Sequence, residues 1–238
     1  MLDLSRFSVL SFDCYGTMID WEAGIFGALR PVLAAHGKKV NDVTLLKIYS
    51  ELELEAEQQP YISYGEVLQS VVEGLGKRLG FDPSEAELRS LPESLPAWQP
   101  FSDTVEALRE LKTRYQLAVI SNIDDHLFAG TAPKLGVEFD QVITAQQARC
   151  YKPGKRIFEI ARARLAVPPG KWLHVGQSIY HDVIPAQAMG IAAVWVNRPS
   201  SREGAGATKA AAGKPDLEVS SLKELVELVS ASVRTGMG

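Results

Sequence analysis

A few polar residues whose types could do chemistry fall at or soon after the ends of short apolar runs. Asp13 follows the run at 6–12, and Ser121 and Asn122 follow 117–120. Lys152 comes after 141–144, and Asp182 lies shortly after 172–175. Taken alone, an aspartate after a strand is more often a cap or turn residue than a catalyst. That bland reading weakens once all four strand ends are considered. One carboxylate, one hydroxyl, one amine and a second carboxylate would converge on a single crevice. This is the inventory for covalent catalysis: a nucleophile, a cation that keeps it ionised, and a group to handle water.

For those groups to meet, the runs must be strands of one sheet. Segments of helical spacing lie between them, at 102–114, 125–135, 155–166 and 183–189. Strands alternating with helices imply parallel βαβ units, so the fold class is α/β, with a Rossmann-like, doubly wound parallel sheet. A further run at 216–219 precedes SSLKELVELVS and reads as an edge strand. The stretch from 20 to 98 breaks the alternation: it has no strand, and helical spacing at 22–35, 43–58, 64–79 and 84–91. It reads as an all-helical cap domain, residues 20–97, inserted into a core domain made of 1–19 and 98–238. The Gly-, Ala- and Ser-rich segment 199–214 reads as a mobile loop. In open α/β sheets ligands bind beyond the carboxyl ends of the strands, where the polar residues cluster.

The 238 residues are ample for a full hydrophobic core. Apolar residues make up 46% and charged residues 23%, as in ordinary globular proteins. A net charge of -4 and a pI near 5.7 argue against nucleic acid or an anionic membrane as the main partner. No apolar run approaches the roughly 20 residues of a membrane span. The N-terminus, with Asp3 and no cleavage-site pattern, does not read as a signal peptide. Cys14 and Cys150 are the only cysteines, so a reducing cytoplasm is expected rather than a disulfide framework. The expected partner is a small-molecule substrate; a homodimer is left open.

FDCYGTMID resembles the first motif of the haloacid dehalogenase (HAD) superfamily, SNID its second, YKP its third and GQSIYHD its fourth. Their order and spacing match, the helical insert sits where members carry a cap, and the resemblance covers essentially the whole chain. Tyr15-Gly16-Thr17 and the cap length look most like the type II 2-haloacid dehalogenases. The resemblance implies that Asp13 attacks an electrophilic carbon or phosphorus and forms an ester. Lys152 would lower its pKa, while Thr17 and Ser121, beside Asn122, would bond carboxylate or substrate oxygens. Backbone N–H groups after Asp13 would cradle developing charge, and Asp182 and Ser178 would position the water. His181 is expected to support the site rather than act as a base.

The sequence also departs from its relatives. Superfamily phosphatases carry an acid where this chain has Tyr15, and complete a Mg²⁺ site with an acid where it has Gln177. No cofactor is expected to be required and no metal ligand is assigned; Asp13 and Asp182 leave room only for a weak Mg²⁺ site. Haloacid dehalogenases use a cap arginine. Ser50 aligns there, and nearby Lys47 is a poor substitute for a planar fork. They also carry a tyrosine at the place of Phe158, and Ser-x-Asn at Gly176-Gln177-Ser178. DWEAGI, GVEFDQVITAQ and REGAGAT resemble azetidine-2-carboxylate hydrolase, which implies an amine leaving group and an acidic pocket. The run Glu51, Glu53, Glu55 and Glu57 could supply such a pocket, but it reads here as a solvated helix face. The expected function is hydrolysis of a small 2-substituted carboxylic acid through an Asp13 ester. Halide leaves in the first alternative and an amine in the second, and Mg²⁺-dependent phosphatase activity is disfavoured. Selectivity is assigned to Tyr15, Trp21, Tyr61 and Tyr64, with 58–64 as a loop facing the crevice.

Overall fold

The structure, a computed structural model, describes residues 2–198 and 207–235. Six parallel strands form one sheet: β1 (Val9–Phe12), β2 (Gln116–Ser121), β3 (Gln141–Thr144), β4 (Trp172–Gly176), β5 (Ala192–Val196) and β6 (Leu217–Val219). Their spatial order is β3-β2-β1-β4-β5-β6. The central strands are buried almost throughout. That is why they read as continuous apolar runs rather than alternating ones. Phe12 lies opposite Val119 of β2 and Val175 of β4, so three strands deliver their next residues to one level. The winding reverses between β1 and β4, the crevice that open α/β sheets offer to ligands.

Between β1 and β2 the structure is helical: α1 (Trp21–Ala35), α2 (Asp42–Glu57), α3 (Tyr64–Leu79), α4 (Glu85–Leu88) and α5 (Ser90–Ser94). Local sequence sets these bounds. Asn41 starts α2 by accepting the Thr44 N–H at 2.8 Å. Ser63 and Glu66 form a capping box at the start of α3, and Gly80, at φ 72°, closes it in the left-handed region. The sheet is flanked by α6 (Thr104–Lys112), α7 (Asp125–Thr131), α8 (Ala145–Ala148), α9 (Lys155–Leu165), α10 (Ile184–Ala188) and α11 (Leu222–Thr235). Among the described residues no helix is long and apolar enough to cross a membrane. Cys14 and Cys150 are both free.

Four expectations need correction. Residues 4–6 form a 3₁₀ turn capped by Asp3, so β1 starts only at Val9. The helix expected at 125–135 ends at Thr131, where Pro133 imposes a 3₁₀ turn. A π turn at Ile179–Val183 precedes α10, so coiling begins earlier than the apolar spacing indicated. Of the loop expected at 199–214, residues 199–206 lie outside the described residues. The remainder is held: Ala207 is buried, its N–H donates to Glu22 Oε1 at 3.2 Å, and Thr208 donates to Gln177 Oε1 at 2.7 Å.

The helical insert is latched to the sheet through Asp124, in the loop after β2. Its buried carboxylate accepts the first two N–H groups of α3, from Tyr64 at 3.0 Å and Gly65 at 2.9 Å. Helix N-termini present unpaired N–H groups and favour negative charge, so Asp124 caps α3 from across the crevice. Asp124→Ala is expected to lower stability by about 1–2 kcal/mol and to speed hydrogen exchange at the Tyr64 and Gly65 amides. Unchanged protection of both amides would show that the latch carries no load.

Candidate active site

Asp13 leaves β1 with its N–H bonded to Val175 O at 2.9 Å, which ties its backbone to β4. Its Oδ1 accepts Lys152 Nζ at 2.8 Å and its Oδ2 accepts the Thr17 hydroxyl at 2.8 Å. Lys152 Nζ also reaches Asp182 Oδ1 at 2.6 Å and Ile120 O at 2.9 Å. The ammonium therefore sits between two carboxylates, with only 2% of its side chain exposed. Burial opposes charge on Lys152, but Asp13 and Asp182 more than offset it and hold its pKa above the ordinary lysine value. Burial likewise opposes Asp182, yet Lys152 and His174 keep its carboxyl below the usual carboxylate range. For Asp13, burial is the largest influence and raises the pKa, with Asp182 acting in the same direction; Lys152 and Thr17 pull it back. Asp13 is thus a poorly solvated carboxylate beside a fixed cation.

The surrounding residues position this triad. Thr17 is fully buried; it donates to Asp13 while accepting the Gln177 N–H at 2.9 Å. Ser178 starts the π turn, accepts the His181 N–H at 3.0 Å and donates its own N–H to Asp182 Oδ2 at 3.2 Å. Gly176 is required beneath it: a Cβ there would lie 2.5 Å from the Asp182 Cβ and Cγ. Gly16, at φ 90°, likewise has the Trp21 indole 2.9 Å from where a Cβ would stand. Asn122 accepts the Lys152 N–H at 2.7 Å and donates to Lys152 O at 3.2 Å and Glu57 Oε1 at 3.1 Å. Ser121 ends β2, buried, and no described residue bonds its hydroxyl. Of the N–H groups after Asp13, that of Gly16 is spent on Ile19 O at 2.9 Å. Those of Cys14 and Tyr15 have no partner among the described residues and are the ones left to meet developing charge.

The structure brings Asp13, Thr17, Lys152, Ser178 and Asp182 into one network, with Asn122 bridging to Glu57 and Ser121 alongside. The four aromatic residues fare differently. The Tyr15 hydroxyl is committed to Thr131 Oγ1 at 2.8 Å and its ring packs edge-on against Trp98, so it serves packing. Trp21 begins α1 and packs edge-on against Tyr49. Tyr64 does not belong to the loop expected at 58–64. It is the first residue of α3, because Ser63 caps the helix there, and it is buried. Tyr61 does lie in that loop. It stacks on Tyr151 at 5.2 Å, with the Arg149 guanidinium 4.5 Å from its ring centre. A cavity of about 230 Å³ opens here between insert and core, lined by Glu57, Tyr61, Arg149, Tyr151, Lys152 and Tyr180.

The acidic run on α2 is split by helical geometry. Glu51 and Glu55 point to solvent and pair with Arg78. Glu53 and Glu57, one turn apart on the opposite side, are turned inward. Glu53 Oε1 accepts the Tyr64 hydroxyl at 2.6 Å and the Tyr49 hydroxyl at 3.0 Å. Burial, with Asp13 adding to it against the two tyrosines, pushes Glu53 up to about 7. Burial and the neighbouring Glu53 also raise Glu57, whose Oε2 lies 3.9 Å from His181 Nε2. Burial pushes His181 down to about 4, so its ring is neutral near pH 7 and unsuited to supplying charge. The expectation of a wholly solvated run fails for these two glutamates. The spacing of Tyr49, Glu53 and Glu57 on one helix line was the signal available for finding them.

Residues 7–190 match the haloacid dehalogenase-like hydrolase family, over more than half of the chain. The protein belongs to that family. It is therefore a HAD hydrolase, and its similarity to whole dehalogenases extends beyond the motifs. It is 26% identical over 223 residues to an (S)-2-haloacid dehalogenase of Pseudomonas sp. (strain YL), covering 92% of this chain and 93% of that protein. It is 26% identical over 201 residues to haloacetate dehalogenase H-2 of Moraxella sp. (strain B), covering 82% and 88%. The L-2-haloacid dehalogenase from Xanthobacter autotrophicus with chloropropionic acid covalently bound superposes with a TM-score of 0.78. That likeness spans 94% of this chain and 98% of the other, at 22% identity.

A superfamily Mg²⁺ ion does not fit the residues present in this HAD hydrolase. Both oxygens of Asp13 and both of Asp182 already accept N–H or O–H donors. Gln177 offers a neutral amide whose oxygen is taken by Thr208. An ion between the two carboxylates would have to share them with the Lys152 ammonium, which already holds Oδ1 of each.

Proposed function

We propose that the protein hydrolyses a small 2-substituted carboxylic acid through an ester on Asp13, with halide as the leaving group. The observation that carries this is the poorly solvated Asp13 carboxylate, held by Lys152 at strand ends and covered by a helical insert. In the first step an Asp13 oxygen displaces the halide from C2 and forms the ester. In the second, water beside Asp182 and Ser178 attacks the Asp13 carbonyl carbon, releases the 2-hydroxy acid and restores the carboxylate. The net reaction consumes one water and yields the hydroxy acid, halide and a proton. The dehalogenase relatives and the covalent chloropropionic acid adduct of the fold neighbour support the same chemistry.

A second reading, displacement of an amine as in azetidine-2-carboxylate opening, is favoured by one feature. Glu57 lines the cavity with Glu53 one helical turn away, so a protonated nitrogen bound there would meet an acidic side chain and favour its charged form. One panel tests both readings: short 2-haloacids and azetidine-2-carboxylate, each with and without chelator. Halide release that is indifferent to chelator is the expected result. Ring opening without halide release, reduced about 10- to 100-fold in Glu57→Gln because a charged hydrogen bond is lost, would replace it with the amine reading. Activity lost to chelator and restored by Mg²⁺ would overturn both.

A further inference from the structure

The motif residues do not account for one buried polar chain that runs along the sheet into the site. Trp172 Nε1 donates to Ser11 Oγ at 2.7 Å. Ser11 Oγ lies 2.7 Å from His174 Nδ1, and His174 Nε2 lies 3.2 Å from Asp182 Oδ1. That same Asp182 oxygen accepts Lys152 Nζ, which also holds Asp13. Ser11, Trp172 and His174 are all fully buried. Their meeting follows from strand register. Ser11 on β1 is the direct partner of His174 on β4, and Trp172, two residues earlier on β4, faces the same side. The Phe158 edge packs against the His174 ring at 5.1 Å and confines it.

The chain has a direction. An indole N–H can only donate, so Ser11 Oγ is an acceptor toward Trp172. Among the described residues, the only other partner of the Ser11 hydroxyl is His174 Nδ1. Its proton must therefore go there, and Nδ1 must accept. The imidazole then carries its proton on Nε2, aimed at Asp182. A proton on Nδ1 would strand the buried serine proton without an acceptor, which a buried hydroxyl rarely tolerates. A lone pair on Nε2 would face a carboxylate oxygen.

We infer that His174, oriented by Ser11 and Trp172, is a positioning residue: it fixes the Asp182 carboxylate and, through it, the Lys152 ammonium that holds the nucleophile. This rests on the proposed role of Asp13, but the relay does not depend on which leaving group departs. His174 touches neither substrate nor Asp13. Its loss should loosen the alignment of the triad without changing what the cavity binds. Partners that orient a reacting group from behind are worth about 10- to 100-fold where they have been removed around bound metals, and a similar effect is expected here.

The test has two arms. Nitrogen NMR of the imidazoles in the intact protein should show His174 as the neutral Nε2–H tautomer. An Nδ1–H tautomer or a doubly protonated ring would overturn the relay, and this arm needs no substrate, so it stands apart from the haloacid assignment. In the kinetic arm, on whichever panel member turns over, His174→Phe should cut kcat about 10- to 100-fold with KM within about twofold. His174→Gln, which keeps an acceptor and a donor, should recover part of the loss. Ser11→Ala leaves the imidazole in place, guards against a folding defect, and should show a smaller loss of the same kind. If His174→Phe and Ser11→Ala both keep wild-type kcat, or if the loss falls on KM alone, the positioning role is wrong.

Discussion

Asp13→Asn is expected to abolish turnover, by about 10⁴-fold or more, since residues that act as one catalytic unit are lost as a unit. The amide has nearly the shape of the carboxylate and can still accept the Thr17 hydroxyl, but it cannot form the ester. The fold should survive. Burial already raises the Asp13 pKa, so this carboxylate is held at a cost, and removing its charge leaves Lys152 paired with Asp182. The measurement is kcat together with the melting temperature. A variant within about tenfold of wild-type kcat would remove Asp13 from the chemistry.

Lys152→Met should have the second largest effect, on stability as well as rate. It removes the cation between two buried carboxylates, and breaking a buried ion pair by deleting one partner costs about 3–5 kcal/mol. The pH dependence should change with it. In the wild type the Asp182 carboxyl is held below its ordinary value of 3.8. Its contribution to stability is thus present above that value and is lost as the pH falls through the depressed one. Without Lys152 the depression goes, and acid unfolding should begin at higher pH than in the wild type. The Lys152 shift is upward, so its own contribution is complete below 10.5 and fades only in strong alkali. Melting curves taken from neutral pH down into acid would show both the loss of stability and its earlier onset in the variant. Equal stability of variant and wild type throughout would mean that the ammonium does not bind the triad together.

Much of the site was legible because parallel strands in register deliver their next residues to one place. Asp13, Ser121 and the Gly176–Asp182 segment group at strand ends in the sequence itself, and apolar spacing bounds α1, α2 and α3 to within a residue of where Asp20, Asn41 and Ser63 cap them. What escaped were features that depend on which side of an element a residue faces. The acidic run on α2 reads as solvent-facing by composition, yet a helix turns Glu53 and Glu57 away from Glu51 and Glu55. The loop expected at 58–64 ends one residue sooner, because Ser63 and Glu66 cap the helix and make Tyr64 its first residue, as the 64–79 spacing indicates. His174 and Ser11 sit inside apolar strands and belong to no motif, and only the β1–β4 register shows that they touch. Asp124 was passed over within SNID because its partners, the first amides of α3, are far away in sequence.

The most direct test of the covalent route is a single turnover in heavy-oxygen water with enzyme in excess over substrate. If Asp13 attacks carbon and water then attacks its carbonyl carbon, the oxygen delivered to the product comes from the enzyme. The first turnover should therefore yield unlabelled hydroxy acid and a labelled Asp13, found by mass spectrometry in the peptide that contains it. Label in the product alone, with Asp13 unlabelled, would mean that water attacks the substrate directly and would contradict the account.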